Sequence, residues 1–425
     1  MASLVTSKFR VHNAQQFAEA FSEASNTIMY LFIGKNTTFP NDNSPPTPVN
    51  STANIEYTPW RDMYAAKRIT TSDVTHAIER YDWTSGTVYD QYDDQDTDLL
   101  EDDFYVMTDE YNVYKCLFNV SASASTTKPT GVSTSPFTTA DGYIWKYMYT
   151  VTTAKALKFL TNDYIPVQTL TSDGGEDQWD VQTAAVDGGI HVIKVTAGGS
   201  GYATAPAVTI TGDGTGATAN STITANVVTK VTITAAGTGY TRASVTFASG
   251  AAAATAIISP KGGHGSDAVE ELGGKFIMLN VRLDGTESNT FSVANEFRQV
   301  GIVRDPYLYG TTTRAVASSF RQSFKYQLSG ISGSFSVDET ITSGSNTASL
   351  IEFTTPSIFT TLPVHLPFAN TATVTGGTSG ATGTIAVITN PGLQPYTGDI
   401  IYVENRVPIA RADDQIEDVK LVIQF

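Results

Sequence analysis

The chain is poor in cysteine, histidine and charge. Its single thiol, Cys116, excludes an intrachain disulfide in 425 residues, so no disulfide-stapled scaffold is expected. Cys116 lies in the apolar run 113–120. A buried, inert thiol is expected there, because no histidine is near in sequence to activate a nucleophile. The five histidines, His12, His76, His191, His264 and His365, are dispersed, and no pair has zinc-ligand spacing. No G-x-S-x-G elbow is present. No apolar run approaches a membrane span. The opening MASLVTSKFR lacks the apolar core of a signal peptide, so neither membrane insertion nor signal-led export is expected. Lys and Arg total 26 against 42 Asp and Glu, a net charge of −16. That balance argues against nucleic acid as a partner, since phosphates need clustered cations. It suits solubility and more basic protein partners.

Apolar residues make up 41% of the chain and aromatics 10%, enough for packed cores. Charged residues are only 16%, and Ser, Thr, Gly and Ala fill the difference. The length suggests about three domains. The pattern predicts a mainly β chain with a few short helices and two small all-β modules. Residues 4–33 read as strand, helix, strand. Asn13 and Gln16 resemble a capping box, and Phe17, Phe21 and Ala24 share a helical face. The apolar run 28–33 reads as a strand buried on both faces. Residues 35–58 read as loop. Thr58-Pro59 starts a short helix, and Ser72 is expected to cap another through Ile78. Clear strands are predicted at 104–107, 113–120 and 143–151.

The end of the chain reads as two strands around a turn. Ile400 to Val403 suit a strand, and Asn405 and Pro408 are expected to break it. Val419, Leu421, Ile423 and Phe425 alternate with more polar residues, giving a final strand with one apolar face.

Two stretches carry internal repeats. VIKVTAGGSGYATAPAVTI (192–210) matches VTKVTITAAGTGYTRASVTF (228–247), with Gly201-Tyr202 and Gly239-Tyr240 offset by 38. ITSGSNTASLIEF (341–353) is more loosely like VTGGTSGATGTIAVI (374–388). Each copy reads as short strands around Gly-rich turns, too few copies for a solenoid.

Possible sites are weak. Gly262 to Val269 fits one nonapeptide of a calcium β-roll, but such sites need stacked turns; an exit loop is expected. Asp94, Asp96, Asp98 and Glu101 resemble the start of a calcium loop without its central Gly and closing Glu, so a solvated acidic loop is expected. Gly212 to Gly216 lacks the following helix that a phosphate loop requires. Trp60, Trp83, Trp145 and Trp179 are candidate sugar platforms, but core positions are the expectation. No catalytic, cofactor-binding or metal-binding residue is assigned, and no cofactor is implied.

Six segments together resemble a baseplate wedge subunit of T-even-like contractile-tailed bacteriophages. They are Val5 to Arg10, Tyr81-Asp82-Trp83, Val113 to Leu117, Asp141 to Tyr147, Phe297 to Ile302, and the Gly-Asp-Ile-Ile-Tyr-Val-Glu-Asn-Arg-Val-Pro-Ile stretch beginning at Gly398. All occur in the family's order. They cover roughly 1–189, 266–315 and 395–425, and Val5 to Arg10 matches an opening strand. The resemblance implies a non-enzymatic virion structural protein of the tail baseplate, assembled in the host cytoplasm. It implies a layered β-sandwich core with short helix-bearing loops, into which the two small all-β modules are inserted, and a homodimer that bridges other wedge proteins. On this reading 1–189, 263–325 and 393–425 form the core, while 190–262 and 326–392 are inserts whose ends lie close together. The alternative is a carbohydrate-binding or carbohydrate-cleaving tail protein, and a third reading is a calcium-dependent adhesin.

Overall fold

A computed structural model describes residues 3–23, 27–285, 287, 290–365 and 367–425. It is mainly β, with 42% strand and 12% helix, in several antiparallel sheets of sandwich type. The chain divides into two compact units. One comprises residues 1–16, 75–278 and 422–425; the other comprises 17–74 and 279–421.

The core of the first unit is a four-stranded sheet ordered Tyr105–Met107, Asn112–Phe118, Ile144–Thr150, Phe137–Thr138. Side chains alternate across it. Val113, Leu117 and Met148 join an apolar cluster with Ile165, Val269 and Leu272. Tyr114, Cys116, Trp145 and Tyr147 face the other way and pack with Tyr89 and Val181. A second sheet pairs Val74–Glu79 with Tyr164–Val167. The ends of Phe276–Asp284 and Ile416–Gln424 that belong to this unit complete it.

The first repeat forms a module in this unit, with sheet order Thr215–Thr224, Val227–Thr238, Ile190–Ala197, Ala253–Ile258. A two-stranded ribbon, Val208–Gly212 with Ala243–Phe247, adds to it. Residues 38 apart meet each other: Ile193 pairs with Val231. Thr209 pairs with Thr246, 37 residues on and its counterpart in the second copy, which is one residue shorter after its tyrosine. The copies are therefore related by a local two-fold axis. The tyrosines are exchanged across it. Tyr202 Oη accepts the Ala252 N–H at 2.8 Å, and Tyr240 Oη accepts the Ala217 N–H at 3.3 Å. Gly250, at φ +78°, leaves room for the Tyr202 hydroxyl where a Cβ would collide. The module enters and leaves through one point: Ser259 N–H donates to Gly189 O at 2.9 Å, and Gly189 N–H to Ser259 Oγ at 3.0 Å.

The second unit holds a five-stranded sheet ordered Ser319–Arg321, Met63–Arg68, Met29–Gly34, Phe297–Arg304, Asp399–Ile409. Met29–Gly34 is buried throughout, as its unbroken apolar run predicts. Gly301 lies opposite Phe32 in the register, and a Cβ there would run into that ring. The second repeat region closes into a six-stranded barrel ordered Phe324–Ser332, Ser357–Thr360, Asn346–Thr354, Thr340–Ser343, Thr373–Gly376, Thr382–Thr389. Thr342 pairs with Thr375, its counterpart in the second copy, so a two-fold relation recurs. Phe324, Tyr326, Phe335, Leu350 and Phe368 fill the barrel. Its ends also meet: Gly392 N–H donates to Arg321 O, and the Gln322 amide exchanges two bonds with the Leu393 backbone.

Four expectations fail. Val5 to Arg10 is no strand, because a helix runs Ser7–Glu19. Val11 and Ala14 are its buried residues, so helical periodicity begins before Phe17, and Asn13 lies mid-helix rather than at a cap. Ala24 lies outside the described residues. The expected helix after Ser72 is one 3₁₀ turn, Thr71–Asp73, capped reciprocally by Thr70 and Asp73. The β-branched Val74, Thr75 and Ile78 then continue as the strand Val74–Glu79. Residues 35–58 are not all loop: Ala53–Tyr57 forms a helical turn leading into Thr58–Asp62. Asn405 and Pro408 do not break the penultimate strand, which runs Asp399–Ile409. It lies at a sheet edge, where a proline without an N–H is tolerated. In the last strand Val419 and Leu421 are buried while Phe425 is only half-buried.

Candidate functional site

The first unit buries a cluster of ionisable side chains that no local motif announces. Lys115 and Lys146 are direct cross-strand partners on Asn112–Phe118 and Ile144–Thr150. Both occupy the face that carries Val113, Leu117 and Met148 toward the core, and both are buried. Like charges opposed in a sheet repel. Glu271, at the end of the short helix Ala268–Glu271, relieves this by accepting from Lys115 Nζ at 2.8 Å, with both side chains almost without solvent. Its other oxygen accepts the N–H groups of Gly265 at 2.7 Å and Asp267 at 3.2 Å. The Tyr92 ring lies 4.1 Å from Lys115 Nζ, a cation–π contact. Lys146 Nζ donates to the Thr134 carbonyl.

Two histidines complete the cluster. The His191 and His264 rings lie 5.5 Å apart, and His264 Nδ1, buried and without a hydrogen-bond partner, is 3.9 Å from Glu271 Oε2. Burial dominates the protonation behaviour. It lowers Lys115 against the pull of Glu271, and takes Lys146 down to about 8. It lowers His191 to about 4, helped by both lysines, and His264 well below its ordinary value. The imidazoles are therefore neutral at pH 7. An amine near neutrality is a chemical asset only if it is reachable, and Lys146 is enclosed. The arrangement works as an internal tie between helix, sheet and glycine loop.

A cleft of about 940 Å³ opens beside the cluster, in the same unit. The module strands Ile190–Ala197 and Val227–Thr238 form one wall. Residues 90–96, Phe118 to Ala122 and Ser135 to Thr138 contribute the other. His191 lines the cleft and also meets His264, so it joins the two features. Lys194 Nζ reaches Asp93 at 3.3 Å between the walls. Gln91 accepts the Asn119 N–H on its Oε1, while its Nε2 is buried without a partner. The second unit has a smaller hollow of about 570 Å³, where the Arg321 guanidinium stacks 4.1 Å over Phe359.

The sequence candidates scatter. Gly262 to Val269 is the loop that seats His264, and Asp267 caps the following helix by accepting from Glu270 N–H. Asp94 accepts the Ile258 N–H and Asp96 the Asp98 N–H, so this acidic loop is partly structural. Asp213, between Gly212 and Gly214, ties down Thr241 and Arg242. Among the described residues, no group of three His, Cys, Asp or Glu side chains is placed to hold a metal ion. Trp60 and Trp145 are core, and Trp83 is half-buried with its N–H on Ser125. Burial raises the Cys116 thiol well above its ordinary value, leaving it inert at pH 7.

The strand period carried a signal that reading by motif missed. Lys115 falls in phase with Val113 and Leu117, and Lys146 with Ile144 and Met148. A lysine at a core-phase position demands a buried partner. The partner, Glu271, is 156 residues away, beyond any local pattern. No protein-family model matches this chain, and no curated protein matches it.

Proposed function

We propose that this chain is a structural subunit of a contractile phage tail baseplate wedge, acting as a homodimer that bridges other wedge proteins in the virion. It works by binding and not by catalysis. One observation supports this above others: from Tyr81 onward the colinear motifs fall on scaffold segments and bypass both repeat modules. Val113 to Leu117 and Ile144 to Tyr147 lie on paired central strands. Phe297 to Ile302 pairs with the strand that carries Tyr402 to Asn405. A likeness by chance would not avoid the two modules while tracing the scaffold. Val5 to Arg10, helical here in place of an opening strand, is where the likeness is weakest. The net charge of −16 favours a more basic wedge partner, chiefly through association rate and register.

The test is a conditional null of the gene in its phage, viewed by electron microscopy. Capsids with unassembled tails are expected. Normal contractile tails with only adsorption lost would move the protein to receptor binding. Light scattering of the isolated chain at micromolar concentration should give twice the monomer mass; a monomer that stays monomeric with the other wedge proteins present would remove the homodimer.

A further inference from the structure

We infer that the cleft between the first repeat module and the strands beneath it is an oligosaccharide-binding site selecting neutral or amino sugars. The inference does not depend on the assembly reading. The volume of about 940 Å³ is at the upper end of ligand sites and would take several sugar rings. A sugar ring has an apolar C–H face and a polar rim, and the cleft is built the same way. Phe118 and Ile144 form half-buried apolar ground on one wall. Around it stand hydroxyl, amide and carboxylate groups, including Ser135, Thr232, Asn119 and Asp90.

Gln91 is held within this wall by the protein itself. Its amide is oriented by the Asn119 N–H, which leaves Nε2 facing no acceptor in the protein. That nitrogen is closed to solvent, so recognition falls to the exposed groups of the walls, with Asp90 and Asp96 as acceptors and the Thr232 hydroxyl as donor. Charge sets the class. Asp90, Asp93 and Asp96 outnumber Lys194 and Lys230 along the walls, so the cleft carries a slight negative excess. That disfavours uronic or sulfated chains and nucleic acid. The walls offer no large exposed aromatic anchor of the kind that dominates protein interfaces, which disfavours a peptide.

The experiment uses the full chain. A glycan array of neutral, amino and acidic oligosaccharides is followed by calorimetry with maltohexaose, chitotetraose and tetragalacturonate. At least one neutral or amino glycan should bind, and tetragalacturonate should not. Asp90→Ala, at an exposed carboxylate of the rim, should weaken binding about tenfold, equivalent to about 1.4 kcal/mol. Thr232→Trp, at an exposed position, should abolish it by filling the cleft. Lys128→Ala, on an ion pair with Asp109 and Glu110 outside the cleft, should leave it unchanged. Melting curves confirm that each variant is folded. No glycan bound by the wild type, binding only to acidic glycans, or binding indifferent to Thr232→Trp would each overturn the inference. So would competition by a random peptide pool as strong as by glycans.

Discussion

The two repeat modules reach similar symmetry by different closures. In the first, Ile193 meets Val231 across the local axis and the sheet remains open at its outer strands. In the second, Thr342 meets Thr375 and the strands close into a barrel. Composition explains the difference. The first module's strands are rich in Thr and Ala, and its buried set is a few aliphatics with Tyr202 and Tyr240. The barrel has Phe324, Tyr326, Phe335 and Phe368 to fill an interior. Attachment differs too. The first module meets its scaffold at Gly189–Ser259, at Ile258, whose N–H donates to Asp94 and whose carbonyl accepts from the Tyr92 hydroxyl, at the His191–His264 ring contact, and at the ion pair Lys194–Asp93. The barrel is held by buried amides: Asn36 donates to Asp338, Ser349 and the Leu350 carbonyl, and Asn295 also donates to Asp338. A module with a weak interior and a light attachment can be lost; one wired into its scaffold by buried polar groups cannot.

Excision should separate them most sharply. Lys194 and Thr255 are register partners, so joining them through Asn-Gly should form a hairpin that replaces 195–254. It keeps Val192 and Ile257, which belong to the scaffold cluster. This variant should remain soluble and melt cooperatively. Replacing 324–390 with a Gly/Ser link strands the Asn36 and Asn295 amides in buried positions. It should lose cooperative melting by calorimetry. Equal behaviour of the two deletions would dissolve the contrast.

Single tyrosines come next. Tyr326 is fully buried in the barrel, and its hydroxyl accepts the Phe368 N–H at 3.2 Å. Tyr326→Ala should cost about 3–5 kcal/mol in urea unfolding. In the first module Tyr202→Phe removes the acceptor of the Ala252 N–H, and Tyr240→Phe that of the Ala217 N–H. Each should cost about 1 kcal/mol, with Tyr202 the larger because its bond is shorter. A difference between these two far beyond that would mean the copies are not energetically equivalent.

Much of this was legible in sequence, for physical reasons. Repeats are recorded in the chain itself, and strands such as 113–120 announce themselves by β-branched and aromatic residues. The two-fold pairing was not legible, because it depends on register, and a slip of one residue reverses every side chain. The start of the N-terminal helix was read as a strand because its buried stripe rests on just Val11 and Ala14, too few apolar positions to show a helical period. The ionic cluster was half legible. Phase placed both lysines inward, but nothing local says that Lys115 and Lys146 are opposite each other, or that Glu271 accepts from Lys115. The cleft needs two distant segments to face one another and left no trace in either.

Acid should distinguish the modules by window. His191, on a strand of the first module, is lowered by burial and by Lys146 and Lys115 from 6.5 to about 4. His264 beside it is lowered further. As pH falls below 6.5 the unfolded chain binds protons that the folded one refuses, so stability falls across the window from about 6.5 to about 4. The barrel carries the opposite case. Glu339 accepts from Ser336, Thr378 and Ser379 backbone N–H groups and from Ser379 Oγ, and these bonds hold its carboxyl below 4.5 against burial. Its contribution is present above 4.5 and is lost only as pH falls through the lowered value. Hydrogen exchange by mass spectrometry, corrected for intrinsic rates, should show strands 190–197 and 253–258 loosening between pH 6.5 and 4.5 while strands 340–360 stay protected. His191→Gln should flatten the first response and leave the second alone. Loosening of both modules together, or a first response that survives His191→Gln unchanged, would show that His191 is not what couples the first module to acid.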